Sequence, residues 1–317
     1  MKYEDLKIRQ GWTLNQKIDH AVGTIEEFMS KTDGKCYISF SGGKDSTVLL
    51  DIARRFERRD FTAVFCNTGN EFPEIVQFVR TFDDLTIIRP KMRIPDVLSK
   101  YGFPLVSKEQ SQYIRQARNT NSEVLRNIRI NGKQGRNDYK QGKIDDKWQF
   151  LIKAPFEVSE LCCQHLKKKP FHTYNKETGL HPIIGTMASE SRLRLQKWLK
   201  TGCNSFDSKD IASYPISIWT EADIWAYIRK FNVPYSPIYD KGCKRTGCMF
   251  CGFGCHMEKG LFNRFDVLYN LHPKAYRTFM AYENNGITYR EALEYIGMVL
   301  PDSRNKQQKL FRFDDLY

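Results

Sequence analysis

A glycine-containing loop between a strand and a helix constrains the fold of this chain more than any other stretch. Residues 35–40 form a short apolar run, and apolar residues recur at helical spacing across residues 45–55. The turn between them carries hydroxyls, glycines and one cation: Ser41, Gly42, Gly43, Lys44 and Ser46. Adjacent glycines let the backbone approach a ligand, and the first turn of a helix offers N–H groups to an anion. The pattern predicts a phosphate-binding loop, and a turn that binds no ligand is the alternative.

The rest of the chain alternates between predicted strands and helices. Further strands are predicted at residues 61–66, 85–88, 182–186 and 215–219. Pro73 suits the first turn of one helix, and Thr220 suits the N-cap of another. This alternation predicts an α/β fold, a doubly wound and mostly parallel sheet with helices on both faces. Ligands of such sheets bind at the carboxyl ends of the strands, where the loops 41–46 and 67–72 both lie.

The charge of the chain indicates an anionic partner. Its 317 residues carry a formal net charge of +13. Binding of nucleotide phosphates would account for part of this charge, and binding of nucleic acid would account for more of it. A basic surface without such a partner is the alternative. No apolar run reaches the length of a membrane span, and residues 1–12 lack the apolar core of a signal peptide. We therefore expect a cytoplasmic protein without a membrane partner.

Residues 108–147 differ in composition from the rest of the chain. They hold ten Lys or Arg against five Asp or Glu, with little periodicity. We interpret them as a basic insertion or flexible arm that follows a phosphate backbone, with a solvated surface excursion as the alternative. The predicted nucleotide-binding domain covers residues 1–256 and contains this insertion and a cysteine segment at 243–255. A helical C-terminal extension is predicted over residues 257–317.

Six of the nine cysteines form two groups that are typical of metal sites. Cys162 and Cys163 are adjacent, and four more lie about eighty residues later: Cys243, Cys248, Cys251 and Cys255. Thiolates at C-x2-C spacing bind one metal centre because the turn directs both sulfurs inward. Adjacent cysteines rarely both reach one zinc ion, whereas a [4Fe–4S] cluster offers separate iron corners. The pattern favours such a cluster, with zinc and free thiols as the alternatives.

Several motifs together resemble the phosphoadenylyl-sulfate reductase family. Residues 39–46 are similar to the S-G-G-K-D-S pyrophosphate loop of the adenine-nucleotide α-hydrolase superfamily, and residues 67–74 to the reductase segment D-T-G-x-x-F-P-E. Residues 215–227 and 232–242 resemble a late strand, helix and loop of the family. The adjacent cysteines followed by C-x2-C are similar to those of cluster-binding adenylyl-sulfate reductases. The resemblance implies an adenine nucleotide as substrate, either ATP or an adenylyl sulfate (APS or PAPS).

The resemblance also implies roles for individual residues. Lys44, Asp45 and Ser46 are the expected catalytic residues; Asp45 either holds Mg²⁺ or caps the helix, and Lys44 neutralises developing charge. The expected nucleotide-binding residues are Ser39, Phe40, Ser41, Gly42, Gly43, Asn67, Thr68, Gly69, Gly185, Thr186, Arg192 and Arg194. The expected ligands of the [4Fe–4S] cluster are Cys162, Cys163, Cys248 and Cys251, with Cys243 and Cys255 as rivals.

Two departures from the reductases bear on the reaction. The reductases carry a C-terminal cysteine nucleophile in an E-C-G-x-H setting, whereas the last cysteine of this sequence is Cys255. They also carry an arginine pair where this sequence has Met187 and Ala188. The pattern is nearer to cluster-containing relatives that use ATP, such as the ATP pyrophosphatases of DNA phosphorothioation and thiolating enzymes of tRNA.

The favoured hypothesis is therefore an ATP pyrophosphatase that adenylates an acceptor, which then receives sulfur. Its partners would be a nucleic-acid acceptor and a sulfur donor. The first alternative is an adenylyl-sulfate or phosphoadenylyl-sulfate reductase that uses the thiol of a partner protein. The second alternative is a nucleic-acid-binding protein with a vestigial nucleotide site.

Overall fold

A computed structural model describes residues 1–57, 60–134, 140–206, 211–258 and 263–303. The chain divides into two compact units. The first contains residues 1–67, 71–89 and 169–246, and the second contains residues 68–70, 90–168 and those from 247 onward. The predicted domain of residues 1–256 thus contributes to both units. Residues 135–139 of the predicted basic insertion, and 259–262 and 304–317 of the predicted extension, lie outside the described residues.

Helices dominate both units. The helices are α1 Tyr3–Gln10, α2 Leu14–Lys31, α3 Lys44–Glu57, α4 Pro73–Val79, α5 Ile94–Tyr101, α6 Lys108–Asn119, α7 Glu123–Asn131, α8 Leu161–Cys163, α9 Lys169–Thr178, α10 Arg192–Thr201, α11 Glu221–Phe231, α12 Arg264–Leu271, α13 Pro273–Met280 and α14 Tyr289–Tyr295. The strands are β1 Cys36–Ser39, β2 Ala63–Cys66, β3 Leu85–Ile88, β4 Lys133–Gln134, β5 Lys140–Gln141, β6 His181–Ile184, β7 Asn204–Ser205, β8 Ala212–Ser213, β9 Glu283–Asn284 and β10 Ile287–Thr288. Within the described ranges, no helix combines the length and apolarity that crossing a membrane requires.

One sheet organises the first unit, with strands in the order β3-β2-β1-β6-β8-β7. Neighbouring strands are parallel, except that the edge strand β7 runs antiparallel to β8. At the carboxyl end of β1, Ser39 lies opposite Val64 of β2 and Ile184 of β6. The chain continues from β1 to β2 and β3 on one side and later returns to β6 on the other. The loop after β1 therefore lies at a topological switch point, and the predicted mostly parallel α/β fold is confirmed.

Helices cover both faces of this sheet. On one face, the Tyr37 ring lies 5.2 Å from Tyr174 of α9, and its hydroxyl donates to Asn175 Oδ1 at 2.7 Å. Ile38 points to the opposite face because side chains alternate along a strand. Helix α3 packs against β1, α2 and α11. Its apolar side chains are fully buried: Val48, Leu49, Ile52 and Ala53. This burial fixes the helix that follows the glycine loop.

One predicted strand is wrong. Residues 215–219 form turns, in which the Trp219 N–H donates to the Ile216 carbonyl at 3.0 Å. Pro215 has no N–H to donate to a sheet, and the pairing strand β8 ends at Ser213. Ile216 and Trp219 are nevertheless fully buried. The apolar run therefore indicated burial correctly and strand structure incorrectly.

The second unit contains α5–α8 and α12–α14 with two short hairpins. Its core is aromatic: the Phe103 ring lies 5.1 Å from that of Tyr289, whose hydroxyl donates to the Phe250 carbonyl at 2.7 Å. Gly102 has φ +92°, and a Cβ there would lie 2.2 Å from the Glu157 carbonyl oxygen. That close approach requires glycine. The predicted helical C-terminal region is confirmed over residues 263–303.

The basic segment 108–147 is more regular than its sequence predicts. Helices α6 and α7 form much of it, each with a serine N-cap. Arg115 pairs with Glu160 at 2.6 Å, and Arg118 pairs with Glu157 at 2.8 Å. A flexible arm is therefore wrong for the described part of this segment. The buried face of α6 consists of Gln110, Ser111, Ile114 and Ala117, and α7 has no buried residue among those described, so few apolar residues mark these helices in the sequence.

Candidate functional site

The loop after β1 is held by its own hydroxyls. Ser46 Oγ donates to the Gly43 carbonyl at 2.9 Å and accepts from the Ser41 N–H at 3.1 Å. Ser41 Oγ lies 3.0 Å from Ser46 Oγ and accepts from the Gly43 N–H at 3.3 Å. Ser46 is only 4 % exposed. Its hydroxyl therefore shapes the loop, and its expected catalytic role stays a prediction.

Three glycines bring backbone close to the N-terminus of α3. Gly42 has φ +71°, and a Cβ there would lie 2.5 Å from a side chain of α4. A Cβ at Gly43 would lie 2.7 Å from Thr246 Oγ1. Gly185, which follows β6, packs against the first turn of α3, where a Cβ would lie 3.0 Å from Ser46 Cα. Backbone after β1 and β6 thus surrounds a helix N-terminus, as anion-binding loops do.

A buried cation and a half-buried carboxylate lie together at the start of α3. Lys44 Nζ lies 3.5 Å from Asp45 Oδ1 and 3.4 Å from Glu221 Oε1, and Lys44 is 5 % exposed. Asp45 Oδ1 is enclosed and accepts no hydrogen bond from any described residue. Burial raises the pKa of Asp45, although Lys44 opposes the rise. A buried carboxylate oxygen without a hydrogen bond is a candidate ligand for a cation such as Mg²⁺.

Tyr239 contacts the first N–H group of α3. The Lys44 N–H donates to the Tyr239 hydroxyl at 2.8 Å, and that hydroxyl lies 3.1 Å from Thr246 Oγ1. Burial raises the pKa of Tyr239 to about 12, so the hydroxyl is neutral at physiological pH. Tyr239 belongs to the segment 232–242 that resembles the family, but no role was predicted for it. Nothing in that motif indicates a contact with a residue 195 positions earlier.

The other predicted nucleotide-binding residues differ in burial and in the unit to which they belong. Phe40 is 1 % exposed and its ring packs 4.9 Å from that of Phe82, so only its backbone is available to a ligand. Asn67, at the end of β2, donates its N–H to the Ile88 carbonyl at 2.9 Å. Thr68 and Gly69 belong to the second unit, whereas the other predicted nucleotide-binding residues belong to the first.

The two predicted arginines differ in their surroundings. Arg194 forms an ion pair with Glu190, and its charge acts on Asp45. Arg192 is exposed at the first position of α10. The connection from β6 to this helix passes through Gly185 and Thr186. Arg194 is therefore the arginine whose charge reaches the start of α3.

The predicted cluster ligands line one small cavity in the second unit, the cysteine cavity. Its lining residues are Pro104, Cys162, Cys163, Leu166, Lys167, Cys248, Phe250 and Cys251. Cys162 and Cys163 end α8, which continues into a π-helical turn over Gln164–Lys168. The Cys251 N–H donates to the Cys248 carbonyl at 3.1 Å. The free volume is about 20 Å³, so a cluster would require the thiols to rotate outward. No three described His, Cys, Asp or Glu side chains are grouped to hold a single metal ion.

The two rival cysteines lie outside the cysteine cavity. Cys243 belongs to the first unit, and its thiol donates to the Arg245 carbonyl at 3.0 Å. Cys255 belongs to the second unit but does not line the cavity. Burial raises the pKa of Cys255 to about 11, against the charge of Arg264. The structure therefore brings together the four cysteines that the resemblance implies as ligands.

The thiols of the cysteine cavity differ in acidity because their neighbours differ. A hydrogen bond with Cys162 lowers the pKa of Cys163, and the charges of Lys108 and Lys167 lower it further. The same hydrogen bond, with burial, raises the pKa of Cys162. Burial raises the pKa of Cys251 to about 12. Lys108 lies more than fifty positions from the adjacent cysteines, so no local pattern in the sequence indicates its contact with Cys163.

Comparison with known proteins places this architecture in a family. Residues 35–121 and 103–252 match the sequence model of the phosphoadenosine phosphosulfate reductase domain. This match covers more than half of the chain. The chain belongs to the phosphoadenosine phosphosulfate reductase domain family. The glycine loop and the cysteine cavity both fall within the matched residues, whereas α12–α14 follow them.

Relatives of this reductase-family chain differ in length and in name. An uncharacterized protein of Methanocaldococcus jannaschii is 27 % identical over 245 residues, which are 77 % of this chain and 41 % of that protein. The chain thus spans less than half of that relative. An adenosine 5'-phosphosulfate reductase of Staphylococcus epidermidis is 25 % identical over 67 % of this chain and 68 % of its own length. The solved phosphoadenylyl-sulfate reductase of Candida auris has a TM-score of 0.41 at 18 % identity, covering 78 % of this chain and 96 % of that one.

We expect Asp45→Asn to raise the Tm of this reductase-family protein at pH 7. The folded-state pKa of Asp45 is raised, so its charge destabilises the fold above that pKa, and the cost vanishes below the unfolded pKa of about 3.9. Asparagine keeps the size and removes the charge. Thermal unfolding at pH 7 and near pH 4 measures the effect, which should shrink at the lower pH.

Asp51→Asn is the matched control on the same helix. Asp51 accepts from Arg55 at 2.9 Å and from the Tyr227 hydroxyl at 2.7 Å, so its replacement should lower the Tm. A lower Tm for Asp45→Asn at pH 7 would show that the carboxylate stabilises the loop, contrary to the pKa shift.

Proposed function

We propose that this chain is an ATP pyrophosphatase that transfers AMP to an acceptor, which then receives sulfur. The observation that supports it best is the buried Asp45 Oδ1, which lies 3.5 Å from Lys44 Nζ at the N-terminus of α3 and accepts no hydrogen bond from a described residue. Mg²⁺ usually binds one or two carboxylates together with substrate phosphates. A buried carboxylate oxygen that pairs with a lysine beside a phosphate-binding loop, and has no closer partner among the described residues, favours a magnesium-bound triphosphate over an adenylyl sulfate.

Each residue at the start of α3 would have a separate role in binding or activating the substrate. Gly42 and Gly43 keep the backbone near the phosphates, and the positive end of the helix dipole faces them. Lys44 neutralises negative charge that develops on the departing pyrophosphate. Asp45 would hold Mg²⁺, which supplies charge shielding between phosphate oxygens when it is bound. The Tyr239 hydroxyl already accepts the Lys44 N–H, so a phosphate oxygen would either replace it or bind beside it.

The proposed reaction balances in two steps. An oxygen of the acceptor attacks the α-phosphorus of ATP, the bond to the β-phosphate breaks, and pyrophosphate leaves. The acceptor oxygen then carries AMP. Hydrosulfide or an equivalent sulfur nucleophile attacks the acceptor carbon, the carbon–oxygen bond breaks, and AMP leaves. The sum converts an acceptor oxygen to sulfur with one ATP and no net oxidation.

The cysteine cavity fits a [4Fe–4S] cluster in its donor chemistry. Four thiols line it, and no carboxylate does so among the described residues. Cys162, Cys163, Cys248 and Cys251 would hold the cluster, one at each iron, and the bound cluster would supply an anionic centre that ties the two cysteine segments together. Lys167 lines the same cavity, and Lys108 acts on Cys163. Both cations would offset the negative charge of a thiolate-bound centre.

A reductase is the second candidate because a curated relative carries that name. The Staphylococcus epidermidis protein is an adenosine 5'-phosphosulfate reductase and matches 67 % of this chain. The reductases that this sequence resembles have arginines at two positions where this chain has Met187 and Ala188. Each of these two residues is 3 % exposed. Apolar buried side chains cannot bind a sulfate or phosphate. This difference weakens the case for the reductase.

Parallel reactions with ATP and with adenylyl sulfate separate the two candidates. We expect anaerobically purified protein to release pyrophosphate from ATP and Mg²⁺, and to form no sulfite from adenylyl sulfate with a dithiol. Pyrophosphate and sulfite are measured in the same samples. Sulfite formation without pyrophosphate release would replace the pyrophosphatase with the reductase.

A further inference from the structure

A larger cavity of the second unit adjoins the cysteine segment, and we name it the basic cavity. It has a volume of about 600 Å³ and is open to solvent. Met249 lines it, whereas Cys248 and Cys251 on either side of Met249 in the sequence line the cysteine cavity. Gly69 also lines it, and the neighbouring Asn70 carbonyl accepts from the Met249 N–H at 2.9 Å. One short segment therefore contributes to both cavities.

Two cations on one helix line the basic cavity. Lys274 and Arg277 lie one turn apart on α13, and both are exposed. Neither forms an ion pair with any residue that the structure describes. His272, at the N-cap of α13, lines the cavity as well, and no Asp or Glu of the described ranges does. The potential at this opening is therefore positive and is available to an anion.

The interior of the basic cavity is apolar and aromatic. Leu271, Ala275 and Phe279 contribute its apolar wall. Tyr282 is half-buried, and its ring lies 5.7 Å from that of Phe279. Sites for single-stranded nucleic acid combine these two features, because cations bind the phosphates and aromatic rings stack on the bases.

We propose that the basic cavity binds a single-stranded segment of nucleic acid, with phosphates at Lys274 and Arg277 and a base at Tyr282. The strand's role as sulfur acceptor rests on the proposed function, whereas its binding does not. A duplex does not suit the cavity, because its bases are stacked inside the helix and cannot reach a concave wall. Free phosphate would use the cations and leave the aromatic wall without a partner.

Fluorescence anisotropy with a labelled single-stranded RNA tests the proposal on the full-length, anaerobically purified protein without ATP. Lys274→Ala/Arg277→Ala should weaken binding by about tenfold or more. It should also lower the slope of log affinity against log salt by about 1.4, because each lost phosphate contact removes about 0.7. Tyr282→Leu should weaken binding by a few fold and leave the slope unchanged, because it removes stacking and keeps the charge.

Lys200→Ala/Arg229→Ala is the matched control, since both residues are exposed in the first unit and the change in charge is the same. It should bind RNA within about twofold of the unmodified protein. Equal weakening by both double variants would show binding by net charge and overturn the proposal. Equal affinity for duplex RNA or polyglutamate, or full competition by AMP at the same concentration of phosphate, would also overturn it.

The two proposals fail separately. If the basic-cavity variants weaken RNA binding but ATP yields no pyrophosphate with or without RNA, the cavity proposal is supported and the pyrophosphatase proposal is wrong. If pyrophosphate is released but Lys274→Ala/Arg277→Ala binds RNA as tightly as the control does, the pyrophosphatase stands and the cavity proposal is wrong.

Discussion

Lys44→Ala should lower the rate of pyrophosphate release from ATP by about 10²–10³-fold, the usual loss when one group that stabilises transition-state charge is removed. Lys44 is the cation nearest to Asp45 Oδ1, and it is buried at the first turn of α3. Water is largely excluded around it, so its charge acts on the phosphates with little screening. The rate is measured with saturating ATP and Mg²⁺ in a coupled pyrophosphate assay.

The control for this variant is Lys31→Ala. Lys31 is an exposed lysine of the first unit that pairs with Glu27 at 2.9 Å, and its loss should leave the rate within about twofold. Lys44→Met keeps the apolar stem and guards against a folding defect, because it removes only the charged end. Full activity in Lys44→Met with a normal Tm would show that Lys44 has no role in the reaction.

Cys251→Ser should abolish the brown colour of anaerobically purified protein and remove most of about four irons per chain, the content of one four-cysteine cluster. Cys251 lies in the cysteine cavity with three other cysteines, and serine is a poor ligand for iron in such clusters. The Tm should also fall, because ligation joins residues 162–163 to residues 248–251. Iron analysis, the absorption spectrum and thermal unfolding together measure the loss.

Cys243→Ser and Cys255→Ser are the matched controls for Cys251→Ser. Neither residue lines the cysteine cavity, so both variants should keep colour and iron. Bleaching by Cys243→Ser would show that the ligand set includes a residue of the first unit. An anaerobic preparation that is colourless and contains one zinc per chain would contradict the cluster.

Local chemistry made part of this molecule predictable. The glycine loop, the strands beside it and the cap of α11 by Thr220 follow from residues that are neighbours in sequence. The parallel sheet follows from the alternation of these elements. The four cysteines of the cysteine cavity were named from their spacing and a resemblance, and their common location agrees with that choice.

Other features depend on contacts between distant residues and left no local signal. The Tyr239 hydroxyl meets the Lys44 N–H across 195 positions, and Lys108 approaches Cys163 from another helix. The helices of the basic segment were not predicted because two of the four buried residues of α6 are polar, Gln110 and Ser111, and α7 has no buried residue among those described. The turn at Pro215 was taken for a strand because burial alone does not separate the two.

The central claim is that ATP is cleaved between its α- and β-phosphates. Two parallel reactions test it most directly, one with ATP radiolabelled at the α-phosphate and one with ATP radiolabelled at the γ-phosphate, each with Mg²⁺ and single-stranded RNA. We expect the γ-label in pyrophosphate and the α-label in AMP or on the RNA. The γ-label in orthophosphate with the α-label in ADP would contradict it.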